Sequence, residues 1–431
     1  MVHLSKYMIP ILGIAFLLSY LVPIHARSPF DAAPINYSTT EPTGKIAQLQ
    51  QLLDQGQASL EYDEEHGYLP SVLKQLNVPI SSQGLVFSKT SFQRRRITAK
   101  TPRAVYFNEN VYIGWVQQGD VLEISVVDPK LGTVFYSLDQ KKTEKPQFTR
   151  QVESCMLCHS STAGYRVPGH VVQSVQVNEQ GYPVTGTTRY RIDHTSPFKQ
   201  RWGGWYVTGT HGDQRHLGNL TFDSYRKPNL DDGANLLDLS ERIDTTKYLS
   251  SHSDIVALMV LEHQTTMHNV FTSASFQTRK AIYEEEQLKE ETASNDPARL
   301  PLTQLRINNA AEEVIKYLLF CEEIELEAEI KGTNSFAKDF TTKGLKDSKN
   351  RSLREFDLTT RMFKYPCSYL IHSESFDSQP VDLKKRIYFR LNEILSNKDS
   401  TQPFQHLSPD ARKAIREILS ETKPEYKKYL D

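Results

Sequence analysis

Two of the four cysteines in this 431-residue chain stand three positions apart and are followed at once by a histidine, in the run Glu153-Ser154-Cys155-Met156-Leu157-Cys158-His159. On one turn of helix the positions i, i+3 and i+4 share a face, so Cys155, Cys158 and His159 point the same way. Two thiols and one imidazole on the same side of a single turn constrain their surroundings more than any other feature of the sequence. A thioredoxin-like disulfide between Cys155 and Cys158 lacks its βαβ context here and leaves His159 unused. A zinc site needs two further ligands at finger-like spacing, and no second cysteine pair follows.

C-x-x-C-H is the attachment signature of c-type haem. Each thiol forms a thioether to one vinyl group, and the histidine turns under the iron as proximal ligand, in an apolar pocket that tunes the potential. One motif implies one covalent haem c. On Cys155, Cys158, His159 and the stretch Ser160 to Gly169, the sequence resembles the monohaem c-type cytochromes. In small members of that family a proline carbonyl downstream of the motif accepts the ring N–H of the histidine. The resemblance gives that part to Pro168, in Val167-Pro168-Gly169. The chain departs from the family in what precedes the motif, which reads as β-structure where the family carries a helix.

The first residues agree with such a cofactor. Lys6 precedes an almost wholly apolar stretch, Met8 to Ile24, and a small-residue site follows at Ile24-His25-Ala26. This reads as a secretory signal cleaved after Ala26, with a periplasmic or otherwise exported mature chain. A membrane-surface location is expected only if the signal is left uncleaved. Elsewhere no stretch is apolar enough for a polytopic membrane protein. Lys and Arg total 51 against 52 Asp and Glu, too even a balance for a nucleic-acid partner bound by phosphate neutralisation. The remaining cysteines, Cys321 and Cys367, admit either a disulfide or buried free thiols.

Short β-branched and aromatic runs separated by turn residues fill 85–138: Ala104–Phe107, Val111–Val116, Val121–Val127 and Thr133–Tyr136. They predict an antiparallel meander. Arg201 to His211 holds two of the three tryptophans among glycines, and reads either as a pocket wall or as an aromatic turn in a core. From Asp254, a capping residue, a helix is predicted through Tyr283 and on along the charged run to Glu291. Further helices are predicted over Lys45–Leu60, Leu302–Ile330, Leu383–Leu395 and Ser408–Glu421. The expected class is α+β: a β-rich N-terminal half leads into a c-type haem attachment segment, followed by a mainly α-helical C-terminal half. The expected divisions are a signal peptide over 1–26, a linker and helix over 27–84, a β-rich segment over 85–150, a cytochrome c-like haem-binding region over 151–283 and a helical region over 284–431.

The second axial ligand separates an electron carrier from an enzyme, because an open iron admits peroxide, oxygen or nitrogen oxides. Met259, His263 and Met267 fall on one apolar ridge of the helix after Asp254. A buried histidine there must satisfy two ring nitrogens, and His263 is the expected distal ligand, with Met267, His268 and Met362 as rivals. His170 lies too near the attachment segment. His194, His211 and His216, with Arg201 or Arg215, would line an open pocket instead. The expected function is single-electron transfer with a redox partner protein. The alternative is a haem-dependent oxidoreductase of peroxidase-like or nitrogen-oxide chemistry, favoured by size, since about a hundred residues suffice to wrap one haem.

Overall fold

The computed structural model describes residues 30–160, 165–223 and 228–430. The expected signal peptide, 1–26, lies outside them. The strands are β1 (Gly84–Val86), β2 (Arg103–Phe107), β3 (Val111–Trp115), β4 (Val121–Asp128), β5 (Gly132–Asp139), β6 (Phe148–Arg150), β7 (Gln173–Val175), β8 (Arg189–Arg191) and β9 (Trp205–Tyr206). Seven of them form one antiparallel sheet in the order β6-β5-β4-β3-β2-β1-β9, and β7 pairs with β8. The predicted meander is its centre. Side chains fix its turns: Asn108 Oδ1 accepts the backbone N–H groups of Asn110 and Val111, and Asp128 Oδ1 accepts those of Lys130 and Leu131.

Successive side chains on a strand face opposite ways, so the register sorts the sheet into two faces. Leu122, Ile124 and Val126 share a face with Ile113, Val134 and Tyr136. These form one hydrophobic core with the N-terminal layer of Phe30, Ile35, α1 (Lys45–Asp54) and α2 (Leu69–Gln75). The other face carries Tyr112 and Gly114 of β3, Glu123 and Ser125 of β4, and Phe135 and Ser137 of β5. The short helix α3 (Glu153–His159) follows β6, and the long helix α4 (Ile255–Glu291) meets this second face from the other half of the molecule.

Asp254 caps α4 by accepting the N–H groups of Val256 and Ala257. From Ile255 to Phe276 every residue of α4 is buried, including Glu262, His263, Gln264, His268 and Asn269, so its polar groups find partners inside the protein. The helical half is completed by α5 (Pro301–Leu318), α6 (Phe336–Thr342), α7 (Glu374–Asp377), α8 (Val381–Leu395) and α9 (Pro409–Thr422). The class is α+β, an N-terminal antiparallel seven-stranded sheet with a mainly helical C-terminal half. Among the described residues no helix is long and apolar enough to cross a membrane.

Two predicted helices end earlier in the structure. The helix expected over Lys45–Leu60 stops at Asp54. That expected over Leu302–Ile330 stops at Leu318, because Phe320 and Glu322 take left-handed backbone (φ +57° and +64°) that ends it before Cys321. The Trp-Gly segment forms the sheet-edge strand β9 and a core turn. Trp202 is fully buried against Phe198, and a Cβ at Gly203 would lie 3.1 Å from Val175 backbone. The glycines there allow backbone to approach backbone.

Candidate functional site

Cys155, Cys158 and His159 lie in the C-terminal part of α3, with Cys155 half-buried, Cys158 exposed and neither in a disulfide. Burial, reinforced by the Glu123 carboxylate, pushes the Cys155 thiol up to about 11. His159 stands over β5, its ring 4.6 Å from that of Phe135. Burial holds its pKa below the usual histidine value. Its Nδ1 lies 2.9 Å from the carbonyl oxygen of Gly169. A carbonyl only accepts, so Nδ1 carries the proton and Nε2 of the neutral ring keeps the lone pair.

The chain builds this contact with some care. Gly169 N–H donates back to the carbonyl of His159 (3.0 Å), which closes the loop between them. Tyr165 and Arg166 both have left-handed backbone, φ +62° and +54°, a conformation that costs non-glycine residues about 1–2 kcal/mol each. Asn269 of α4 holds the next residue: its Oδ1 accepts from His170 N–H (2.8 Å), and its Nδ2 donates to His170 C=O (2.6 Å). A Cβ on Gly169 would fall 2.3 Å from Asn269 Oδ1, so only glycine fits at this approach.

The acceptor expected at Pro168 is therefore one residue further on. The Pro168 carbonyl instead takes the N–H of Thr133 at the start of β5 (3.2 Å), which turns it toward the sheet and leaves Gly169 to face His159.

Beside α3 the sheet face is partly open. Arg103 reaches from β2 across Gly114, which has no side chain, to Glu123 on β4 (2.9 Å). Ser91 Oγ donates to the same carboxylate at 2.6 Å, and Gln151 Nε2, two residues before α3, donates to Ser137 Oγ of β5 at 2.9 Å. A cleft of about 460 Å³ adjoins the helix, lined by Gln151, Glu153, Ser154 and Leu157, and Leu157 is 84% exposed.

Two thiols and an imidazole whose Nε2 keeps its lone pair, on one turn above an aromatic ring and beside a cleft, fit a covalently bound c-type haem. Neither thiol is in a disulfide, and among the described residues no three His, Cys, Asp or Glu side chains converge to hold a metal ion. Cys321 and Cys367 are buried free thiols.

The other histidines are spent elsewhere. His263 lies six residues before Asn269, about 9 Å of helix rise away, in the helical core. Its Nδ1 meets His194 Nδ1 at 2.9 Å, its Nε2 meets Ser368 Oγ at 2.8 Å, and its ring stacks on Phe320. The structure does not bring it to His159. His268 bonds the Glu109 carbonyl (2.8 Å) and Ser375. His211 and His216 pack with Phe198 and Trp202 in the core. Arg201 pairs with buried Glu262, and Arg215 with Asp231. Met259, Met267 and Met362 are buried packing residues. His170, by contrast, does lie at the site. Its ring nitrogens engage Ser125 (3.0 Å) and Thr133 (3.2 Å), which fastens the segment after His159 to the sheet.

Glu123, Phe135, Gly169 and Asn269 were not singled out from the sequence as site residues. Strand alternation already placed Glu123 and Phe135 on one face, but which face α3 covers depends on packing. Compared with known proteins, the chain matches no family model, no curated protein and no solved structure.

Proposed function

We propose that the chain carries one haem c, attached through Cys155 and Cys158 with His159 as axial ligand, and passes single electrons to or from a protein partner after export. The observation that carries this reading is the His159–Gly169 contact. A backbone carbonyl holds the Nδ1 proton and orients the ring, so Nε2 keeps the lone pair that would bind the iron. The bound group would supply a one-electron iron couple. Phe135 gives an apolar floor, and Arg103 with Glu123 sets the local field beside Cys155 and His159.

The test is the intact mass of the chain expressed with haem-attachment machinery. The reading requires one added haem that survives denaturation and is lost in Cys155→Ser/Cys158→Ser. An unmodified mass in the wild type would overturn it.

One observation favours a second reading, a haem-dependent oxidoreductase with an accessible iron. Among the described residues His170, His263 and His268 each have both ring nitrogens bonded within the protein. Spectra with and without carbon monoxide separate the two. A reduced spectrum indifferent to carbon monoxide supports the carrier, and a shifted one supports peroxidase-like or nitrogen-oxide chemistry.

A further inference from the structure

A second cleft, of about 240 Å³, lies away from α3, where the turn between β2 and β3 meets α4, α6 and Arg354. Its apolar walls are Phe107, Phe336 and Phe340. Most of its polar lining is already committed. Gln264 Nε2 donates to the Asn108 carbonyl and to Tyr112 Oη, while its Oε1 accepts from Tyr369. Asp339 Oδ2 accepts the hydroxyls of Ser81 and Ser335.

Arg354 is different. Its guanidinium lies 4.5 Å from the ring centres of both Phe340 and Tyr369, and its side chain is only 10% exposed. Its ionic partner is Glu109, on the turn, whose side chain is 36% exposed. One carboxylate uses at most two of five guanidinium donors. Among the described residues no other acceptor takes the rest. Burying an arginine between two rings at the wall of a cavity, with a partly exposed and replaceable counter-ion, makes a carboxylate receptor whose donors are held in plane by the flanking rings. Lys343, exposed at the rim, adds a second positive charge.

We propose that this cleft binds a small aromatic or otherwise apolar carboxylic acid. Its carboxylate takes Arg354 in place of Glu109, and its apolar part lies against Phe107, Phe336 and Phe340. The inference does not depend on the haem reading, since neither the site nor its test involves α3.

The test uses the purified full chain, with benzoate as probe and neutral benzamide as control, followed by titration calorimetry and thermal shift. Benzoate should bind and benzamide should not. Glu109→Gln removes the competing carboxylate and should tighten benzoate about tenfold, the gain expected from losing one charge-assisted competitor. Arg354→Gln should abolish binding. Because Arg354→Gln could fail to fold, Glu109→Gln is the deciding variant. If it weakens benzoate binding or leaves it unchanged, if benzamide binds as well as benzoate, or if benzoate binds neither wild type nor Glu109→Gln, the proposal is overturned.

Discussion

Asn269, in the middle of α4, grips His170 by both its backbone N–H (2.8 Å) and its carbonyl (2.6 Å), and so ties the helical half of the molecule to the segment that orients His159. Removing the amide would leave a buried N–H and a buried C=O unpaired. Each such group costs about 1–3 kcal/mol. Asn269→Ala should therefore lower the unfolding free energy by about 2–4 kcal/mol in urea titrations. Asn269→Asp keeps an acceptor for His170 N–H but buries a carboxylate against the His170 carbonyl, and should lose at least as much. A loss below about 1 kcal/mol in Asn269→Ala would mean that the clamp is not what Asn269 contributes.

Gly169 answers to the same geometry. An alanine there drives its methyl into Asn269 Oδ1, and overpacking of this kind costs about 1–3 kcal/mol. Gly169→Ala should be less stable than wild type, and in the haem-loaded protein it should also shift the reduction potential, since the carbonyl moves relative to His159 Nδ1. Combining it with Asn269→Ala removes the clash partner, so the double variant should lose less than the sum of the two single losses. Strictly additive losses would sink this account.

How much could be read from residues alone follows the range of each interaction. The turns at Asn108 and Asp128, the cap at Asp254 and the geometry of the Cys155–His159 turn are local, and local rules found them. The helix end at Leu318 was missed because no glycine or proline marks it. Phe320 is held in left-handed backbone by burial against His263 and Phe363. The Gly169 acceptor was displaced by one residue because its choice depends on Asn269, a hundred positions away along the chain. The polar side chains of α4 were the least legible. His263 on an apolar ridge needed two partners, and the sequence could not say that they would be His194 and Ser368.

That pairing makes His263 a stability residue in this structure. His263→Ala would leave His194 Nδ1 and Ser368 Oγ without their partner and open a cavity beside Phe320, at a cost of about 3–5 kcal/mol. Its axial-ligand spectrum, once loaded with haem, should match the wild type. A changed spectrum at unchanged stability would return His263 to the iron.

The buried Arg201–Glu262 contact gives a sharper asymmetry. The two lie 3.1 Å apart with side chains 3% and 1% exposed, and burial raises the Glu262 carboxyl to about 8 despite the arginine, so near neutral pH it offers Arg201 mainly an uncharged acceptor. Leaving one charge unpaired in such a place costs about 3–5 kcal/mol. Glu262→Leu should therefore be far more damaging than Glu262→Gln, which still offers Arg201 an oxygen. Thermal melts of the two proteins at neutral pH measure the difference, and similar melting points would mean the pair contributes little.

The interior histidines set the response to acid. Burial depresses His268 to about 3, and His194 and His372 to about 4, while His170, His216 and His263 fall well below their ordinary value. Each stays neutral in the folded chain but takes a proton near pH 6.5 once unfolded. The unfolded state therefore binds more protons below that pH, and stability that is complete above about pH 6.5 is lost as the pH falls toward the depressed values. Glu262 and Glu323, raised to about 8 and about 7, act in the opposite sense: they favour the folded state at low pH and lose that contribution as pH rises toward those values. The six histidines outnumber these two carboxyls, so the net slope between pH 6.5 and 4.5 is set by the imidazoles. Each is worth about 1.4 kcal/mol per pH unit across that window. His268→Gln keeps a donor for the Glu109 carbonyl and removes one titrating ring, so its unfolding free energy should fall less steeply with acid than wild type, by about 1.4 kcal/mol per unit. Urea titrations at pH 6.5, 5.5 and 4.5 on both proteins measure this, and parallel pH dependences would show that His268 does not exclude its proton in the folded state.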